Sequence, residues 1–107
     1  MSVFSQSQYV PDTLSEMYTN PEPDKSAIVD FAAARNNGSA AARLDVHLVP
    51  NGGVADASNL FYSETLSPND AADLSGIVGT DLGPNDAIWG LASVASTIVM
   101  RVTGRLR

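Results

Sequence analysis

Several residue types are scarce in this chain of 107 residues, which has no cysteine, one histidine and 17% charged residues. Without cysteine there is no disulfide framework, thiol nucleophile or cysteine–zinc site. Because His47 is the single histidine, most metal sites and proton relays that need several imidazoles are excluded. The single lysine, Lys25, follows no glycine-rich phosphate loop, and no G-x-S-x-G serine motif is present. These absences predict a chain that is not an enzyme and that uses no cofactor or metal.

Basic residues and long apolar runs are also scarce. Six Lys and Arg stand against twelve Asp and Glu, which gives a formal net charge of -6. This balance argues against a nucleic-acid partner, because such binding depends on the neutralisation of phosphates. No run approaches the roughly 18 consecutive apolar residues of a membrane-spanning helix. The N-terminus lacks the basic start and apolar core of a secretory signal. We therefore expect no membrane partner and synthesis in the cytoplasm.

The apolar residues that are present, 44% of the chain, suffice for one small domain with a core. Residues 1–25 differ from the rest, because they carry four acids, no base before Lys25 and three prolines that favour extended backbone. We interpret 1–25 as an extended N-terminal arm and 26–107 as the folded domain. The arm either folds back on this domain or docks on a neighbour. Its apolar side chains are candidate interaction residues: Phe4, Tyr9, Val10, Leu14, Met17 and Tyr18.

Residues 26–107 have the pattern of short strands separated by turns. Asn37-Gly38 is a hairpin signal between two such segments. In residues 43–49 apolar and polar side chains alternate, so that Arg43 and His47 share a face turned to solvent or to a partner. Residues 97–103 alternate in the same way. This pattern predicts an all-β fold, a single antiparallel β-sandwich of jelly-roll or immunoglobulin-like type with about six to eight short strands. For residues 71–78 a strand and a short helix both remain open.

One tripeptide occurs twice, as Pro68-Asn69-Asp70 and as Pro84-Asn85-Asp86. Proline presets φ and the Asn-Asp pair closes a turn, so the repetition predicts two equivalent corners of the β-fold. Asp70 and Asp86 at these corners, together with Asp73 and Asp81, are candidate calcium ligands by residue type. No D-x-[DN]-x-[DN]-G loop accompanies them, and we assign them to turns and caps.

The basic residues are concentrated at the C-terminus, where Arg101, Arg105 and Arg107 have even spacing and project from one face of the last strand. With Arg43 and His47 they complete the candidate interaction residues. Pairing of these arginines with the acidic arm, within a subunit or between neighbours, is worth only about 0–1 kcal/mol per pair. Trp89 is interpreted as core filling, with an exposed interface anchor as the alternative.

The segment R-L-D-V-H-L-V-P-N-G-G at 43–53 resembles a pattern of small virion structural proteins of tailed bacteriophages. The corner at 66–70 and the segment D-A-I-W-G-L-A-S at 86–93 share this resemblance. It covers residues 28–104 and leaves out the N-terminal arm. The resemblance implies a β-sandwich module that decorates heads, collars or tails and that acts as a homo-oligomer.

Together these observations predict a non-enzymatic virion structural protein of a bacteriophage. The subunit would attach to the capsid, neck or tail as a decoration, cement or accessory component, with other virion proteins as partners. The alternative is a receptor- or carbohydrate-binding module of a phage fibre or tail tip. That function would place Tyr62, Trp89 or Tyr9 in an exposed aromatic platform.

Overall fold

The computed structural model describes residues 2–107, which are built almost entirely from β-strands. Within this range there are nine strands and one turn of 3-10 helix (Ala57–Asn59) between β4 and β5. In chain order the strands are β1 (Ser2–Tyr9), β2 (Ser15–Thr19), β3 (Ala27–Asn36), β4 (Ala42–Val49), β5 (Leu60–Leu66), β6 (Ala71–Asp73), β7 (Asp81–Leu82), β8 (Ala87–Ala92) and β9 (Ile98–Leu106). The predicted all-β class is thereby confirmed.

The strands form two antiparallel sheets that pack face to face. Sheet A has the order β1-β9-β3-β6, with β7 also paired to β3, and sheet B has the order β2-β8-β4-β5. The chain follows the path of one long hairpin in which β4 pairs with β5, β3 with β6 and β7, β2 with β8, and β1 with β9. Rolling this hairpin brings β9 beside β3 and β8 beside β4. The sandwich is therefore a jelly roll, since an immunoglobulin domain pairs its strands in a different order.

The core lies between the two sheets and is supplied by alternate residues of the long strands. The period-two pattern of the last strand is confirmed, because Ile98, Met100 and Val102 are all buried. Leu44 and Val46 of β4 are buried opposite them in the second sheet. Small side chains complete the interior, including Ala27, Ala32, Ala34, Ala42 and Ala92.

The segment predicted as an N-terminal arm, residues 1–25, contributes a strand to each sheet. β1 pairs with β9 from Ser2↔Leu106 to Tyr9↔Val99, and β2 pairs with β8. The apolar side chains of Val10 and Met17 enter the core, which removes them from water and fixes the segment on this domain. The boundary at residue 25 falls in the connection between β2 and β3. Met1 of the predicted arm lies outside the described residues.

The two Pro-Asn-Asp corners are confirmed as equivalent turns. Asn69 and Asn85 both have positive φ, 67° and 62°. The backbone N–H of Asp70 donates to Ser67 O and that of Asp86 to Gly83 O, each at 3.0 Å. The first corner carries the chain from β5 in sheet B to β6 in sheet A, and the second carries it from β7 back to β8.

Each corner is held by one fully buried asparagine. The Nδ2 atom of Asn36 donates to Leu66 O at 2.8 Å, and the Nδ2 atom of Asn20 donates to Leu82 O at 3.0 Å. Their backbone groups bond the corners as well: Asn36 N–H to Asp70 O, Asn69 N–H to Asn36 O, Asn20 N–H to Asp86 O and Asn85 N–H to Asn20 O. These bonds satisfy polar groups that would otherwise be buried without a partner.

Candidate interaction surfaces

The outer face of sheet A is assembled from β1, β9 and β3 by their register. Ser7, Arg101 and Ala33 form one row across the three strands, and Tyr9, Val99 and Arg35 form the next. A third row holds Ser5, Thr103 and Phe31. Residues directly opposite in antiparallel strands point to the same face, so all nine side chains lie on the outside of the sheet.

Phe31 reaches this outer face because of a β-bulge. The register between β3 and β9 shifts between Val29 and Phe31, so that Asp30 is the extra residue. Val29 is buried, whereas Phe31 is 47% exposed. An extra residue reverses the inward and outward alternation downstream, and the next inward position is therefore Ala32.

The exposed aromatic ring borders a shallow cavity of about 250 Å³ on the outer face of sheet A. Phe31, Val99 and Ala33 contribute apolar surface, and Arg35 and Arg101 flank it. The lining taken from the described residues includes no acidic side chain. In a chain with net charge -6, this is a locally apolar and basic site. We call it the sheet A surface, and it consists of the lining residues Ser7, Phe31, Ala33, Ala34, Arg35, Ala71, Val99 and Arg101.

The other two C-terminal arginines lie near the chain ends of sheet A. Arg105 is opposite Val3 and forms an ion pair of 3.8 Å with Asp30, the bulge residue of β3. Both side chains are nearly half exposed, so this pair contributes little stability. The backbone of Arg107 exchanges hydrogen bonds with that of Ser26. The predicted partner of these arginines was the acidic N-terminal segment, whereas this ion pair is made with β3.

The outer face of sheet B carries a polar network on β4 and β5. Arg43 Nε lies 3.0 Å from Asp45 Oδ1, and its Nη2 donates to Ser63 Oγ at 2.6 Å. Ser63 in turn donates to Asp45 Oδ1 at 2.6 Å. Arg43 is exposed as expected, and its guanidinium is oriented by both partners. Arg43 and Asp45 also line a shallow cavity of about 370 Å³ beside Leu91 and Ser93.

His47 is a structural residue and not part of a solvated stripe, since it is only 7% exposed. The loop after β4 covers it. Its Nδ1 lies 2.9 Å from Asp56 O and 3.0 Å from Asn59 Oδ1. The same Oδ1 accepts the Asp56 N–H, and Asn59 Nδ2 donates to Val54 O, which fixes the orientation of the amide. Nδ1 therefore faces two acceptors and carries the proton, so His47 holds the loop against the sheet.

Trp89 lies on the outer face of sheet B, which contradicts its interpretation as core filling. Its neighbours Ile88 and Gly90 are buried and point inward, so the strand alternation turns the indole outward. The ring is half-buried, in a row with Glu16 of β2 and His47 of β4. The core has no space for a large side chain at the next position, because a Cβ on Gly90 would stand 3.2 Å from both Met17 and Val10.

The remaining candidate residues divide between the interior and the surface. Val10 and Met17 belong to the core and cannot contact a partner without unfolding. Phe4 and Tyr18 stack with ring centroids 4.3 Å apart and an interplanar angle of 12°, which joins β1 to β2 across the sandwich. Burial, and then the charge of Glu22, raise the pKa of Tyr18. Tyr9 and Leu14 are exposed.

Sequence reasoning missed the residues at the centre of the sheet A surface. Phe31 and Arg35 were not candidates, although Arg101, which shares their face, was. Their outward position depends on the bulge at Asp30, which local alternation does not reveal. After the bulge, the small side chains of Ala32 and Ala34 take the inward positions of β3, so hydrophobicity indicates the wrong face for Phe31.

In the part of the chain that the structure describes, no group of three or more His, Cys, Asp or Glu side chains is placed to hold a metal ion. Among residues 2–107 no helix has the length and apolarity needed to cross a bilayer.

Comparisons with known proteins give distant structural likenesses alone. No family model matches the chain, and no curated protein matches it. A chain from the disulfide-linked pili of Bacillus endospore appendages is 14% identical, with a TM-score of 0.45, over 98% of this chain and 86% of that one. A chain of infectious bursal disease virus, strain Gx, is 9% identical, with a TM-score of 0.23, over 99% of this chain and 34% of that one. The assignment of the fold therefore rests on the strand order.

Proposed function

We propose that this chain is a non-enzymatic structural protein of a bacteriophage particle. It attaches to the capsid, neck or tail as a decoration, cement or accessory subunit, and its partners there are other virion proteins. In this proposal the subunit forms a homo-oligomer and its location is the virion. The resemblance of residues 28–104 to small virion proteins of tailed phages supports the proposal, since such proteins are β-sandwich modules.

The observation that carries the proposal is the sheet A surface. An aromatic ring that is half exposed on the outer face of a sheet, between two arginines, has the composition of a protein contact. Phe31 supplies apolar area, and Arg35 and Arg101 attract an acidic partner surface. Burial of this site against a larger particle removes the exposed apolar area from water.

Incorporation into particles tests the proposal. Particles of a phage that encodes this chain are purified, and the bound protein is quantified by mass spectrometry for the wild type and for Phe31→Glu. The matched control is Phe61→Glu, the same change at a phenylalanine that is 59% exposed on β5, outside the sheet A surface. We expect Phe31→Glu to lower incorporation by about tenfold or more and Phe61→Glu to leave it unchanged.

Circular dichroism of both variants must first match the wild type. Absence of the wild-type chain from purified particles would overturn the proposed function. Equal incorporation of the two variants would instead show that docking does not use the sheet A surface.

A second candidate function is the receptor- or carbohydrate-binding module, which one observation favours. Trp89 is the single tryptophan and lies half-buried on the outer face of sheet B. Aromatic rings on an accessible face can stack on sugar rings. Its fluorescence reports on that face alone, so quenching by added host polysaccharide would support this function. A spectrum that does not change at saturating polysaccharide would exclude Trp89 as the platform.

A further inference from the structure

Over the described residues, 2–107, the sandwich has four open edges, two in each sheet. β1 and the β6/β7 side border sheet A, and β2 and β5 border sheet B. An open edge presents backbone N–H and C=O groups that can pair with another strand. Soluble proteins usually protect such edges by charge, bulges or short length.

Three of the four edges carry such protection. β2 has a bulge between Glu16 and Tyr18, and Glu16 is exposed. β5 has Phe61 as an extra residue in its register with β4, and it carries the exposed Glu64. β6 and β7 are three and two residues long, and each contains an aspartate.

β1 carries none of these protections. It spans eight residues, S-V-F-S-Q-S-Q-Y, without charge, proline or glycine. Its register with β9 is regular along the whole strand. Val3 and Tyr9 near its ends are 78% and 50% exposed. An edge of this length and composition is suited to strand addition.

The pairing with β9 determines which backbone groups are free. The Val10 N–H donates to Ile98 O at 2.8 Å, in the same register as β1 and β9. Hydrogen-bonded and non-bonded residues alternate along an antiparallel pair. The even-numbered residues of β1 therefore bond to β9, whereas Val3, Ser5, Ser7 and Tyr9 direct their N–H and C=O groups to the open edge.

We propose that β1 pairs antiparallel with β1 of a second copy of this chain, about a two-fold axis at Gln6. This register places Val3 opposite Tyr9 of the second copy and Ser5 opposite Ser7 of the second copy. Each of these pairs exchanges two backbone hydrogen bonds, and every free group of the four outward residues is used. A β-branched and an aromatic side chain then meet at both ends, which is a favourable cross-strand pair.

The uncharged β1 edge allows a second copy to be the occupant. Each chain carries a net charge of -6, so two copies repel over most of their surfaces. β1 is the uncharged edge at which two copies can meet with no like charges directly opposite. The pairing joins two copies of sheet A into one continuous sheet, with both sheet A surfaces on the same side. The inference specifies the homo-oligomer contained in the proposed function.

Site-directed disulfide formation tests the register. Gln6→Cys introduces the only thiol of the chain, and in the proposed dimer it faces its own copy across a non-hydrogen-bonded pair. The Cα atoms of such a pair are about 4.5 Å apart, within the range that a disulfide spans. The matched control is Gln8→Cys on the same strand and face. Its two copies would lie about 13 Å apart along the strands. We expect a covalent dimer for Gln6→Cys under mild oxidation and none for Gln8→Cys.

Sedimentation velocity at about 1 to 100 μM tests the association itself. Ser5→Pro removes an N–H that faces the open edge and leaves the pairing with β9 intact, a position that proline tolerates. Ser5→Ala is its control. We expect dimers for the wild type and Ser5→Ala, and association weakened by about tenfold or more for Ser5→Pro.

The outcomes separate this inference from the proposed function. A wild type that stays monomeric over this range overturns the pairing, and so does a Ser5→Pro variant that folds and dimerises normally. If Ser5→Pro does not fold, the cysteine pair still decides, because equal crosslinking of Gln6→Cys and Gln8→Cys also overturns it. A monomer that is nonetheless incorporated into particles refutes the β1 pairing alone.

Discussion

The two Pro-Asn-Asp corners have the same local structure but different surroundings. Asn36 and Asn20 hold the two corners with equivalent hydrogen bonds. In each, the asparagine Nδ2 donates to the carbonyl of the leucine that begins the corner. The asparagine Oδ1 accepts from the backbone N–H of the residue two positions after the asparagine itself. At the corner 82–86 the Asp86 carboxylate accepts from Gly83 N–H at 2.9 Å within the corner, and it accepts from Asn51 N–H at 2.8 Å, which attaches the corner to the loop after β4. Among the side-chain hydrogen bonds of the described residues there is none for the Asp70 carboxylate.

This difference separates what a tripeptide determines from what the fold adds. Proline and an asparagine with positive φ make the turn wherever the tripeptide stands. Whether the aspartate also hydrogen-bonds to a distant loop depends on which segments the jelly-roll fold places beside the corner. The loop after β4 passes the second corner, and Asn51 there lies 35 residues from Asp86 in sequence.

The largest loss of stability should come from replacing the two buried asparagines, because both corners are held by them in the same way. Asn36→Ala removes the hydrogen bonds that the Asn36 side chain makes with Leu66 O, Ala40 O and the Gly38 N–H. We expect it to lower the free energy of unfolding by about 3 kcal/mol, and Asn20→Ala to do so by a similar amount. Urea unfolding measures both.

The control is Asn37→Ala, next to Asn36 but exposed, which should change stability by less than about 0.5 kcal/mol. If one buried asparagine proved far more important than the other, the equivalence of the corners would not hold energetically.

The second-largest loss of stability should come from the Asp86 carboxylate, whose hydrogen bonds distinguish the corner at 82–86 from the corner at 66–70. Asp86→Ala leaves the Gly83 and Asn51 N–H groups without their acceptor, and we expect a loss of about 1–2 kcal/mol. Asp70→Ala at the matched position should cost less than about 0.5 kcal/mol, because its side chain is exposed. Equal losses in urea unfolding would show that the extra attachment has no energetic weight.

A third, smaller loss of stability should be equal at both corners, since it depends only on the backbone conformation of Asn69 and Asn85. Asn69 and Asn85 both have φ above +60°, where a Cβ without a polar side chain is disfavoured. We expect Asn69→Ala and Asn85→Ala each to cost about 1 kcal/mol relative to the corresponding glycine variants. Thermal unfolding of the four variants would test this, and a glycine variant no more stable than its alanine counterpart would contradict it.

The sequence predicted regular features well and irregular ones poorly. The alternation at 97–103 and the repeated tripeptide led to correct positions, because both are local consequences of backbone geometry. The exposure of Phe31 depends on a bulge opposite β9, and the burial of His47 on a loop that folds over it. Both effects come from distant segments. The pairing of β1 was missed for a related reason, since its partner β9 lies at the other end of the chain.

The smallest expected effect concerns the loop that attaches to the corner at 82–86. Asp56 caps the 3-10 turn there, and its hydrogen bonds with the Ser58 hydroxyl and N–H hold the pKa of its carboxyl below the usual value. A carboxyl whose pKa is lower when folded than when unfolded stabilises the protein above the unfolded pKa. That contribution declines as the pH falls through the folded pKa. We therefore expect unfolding measurements to show less acid sensitivity in Ser58→Ala than in the wild type.

Ser39→Ala is the matched control for this pH series, because it removes an exposed serine hydroxyl between β3 and β4, away from the cap and bonded to no carboxylate among the described residues. Its stability should follow the wild-type pH dependence at the acid end. If Ser58→Ala also followed the wild-type curve, the cap would not couple to folding. The loop would then be held to the second corner by the Asn51–Asp86 bond and to the sheet by His47, independently of the charge on Asp56.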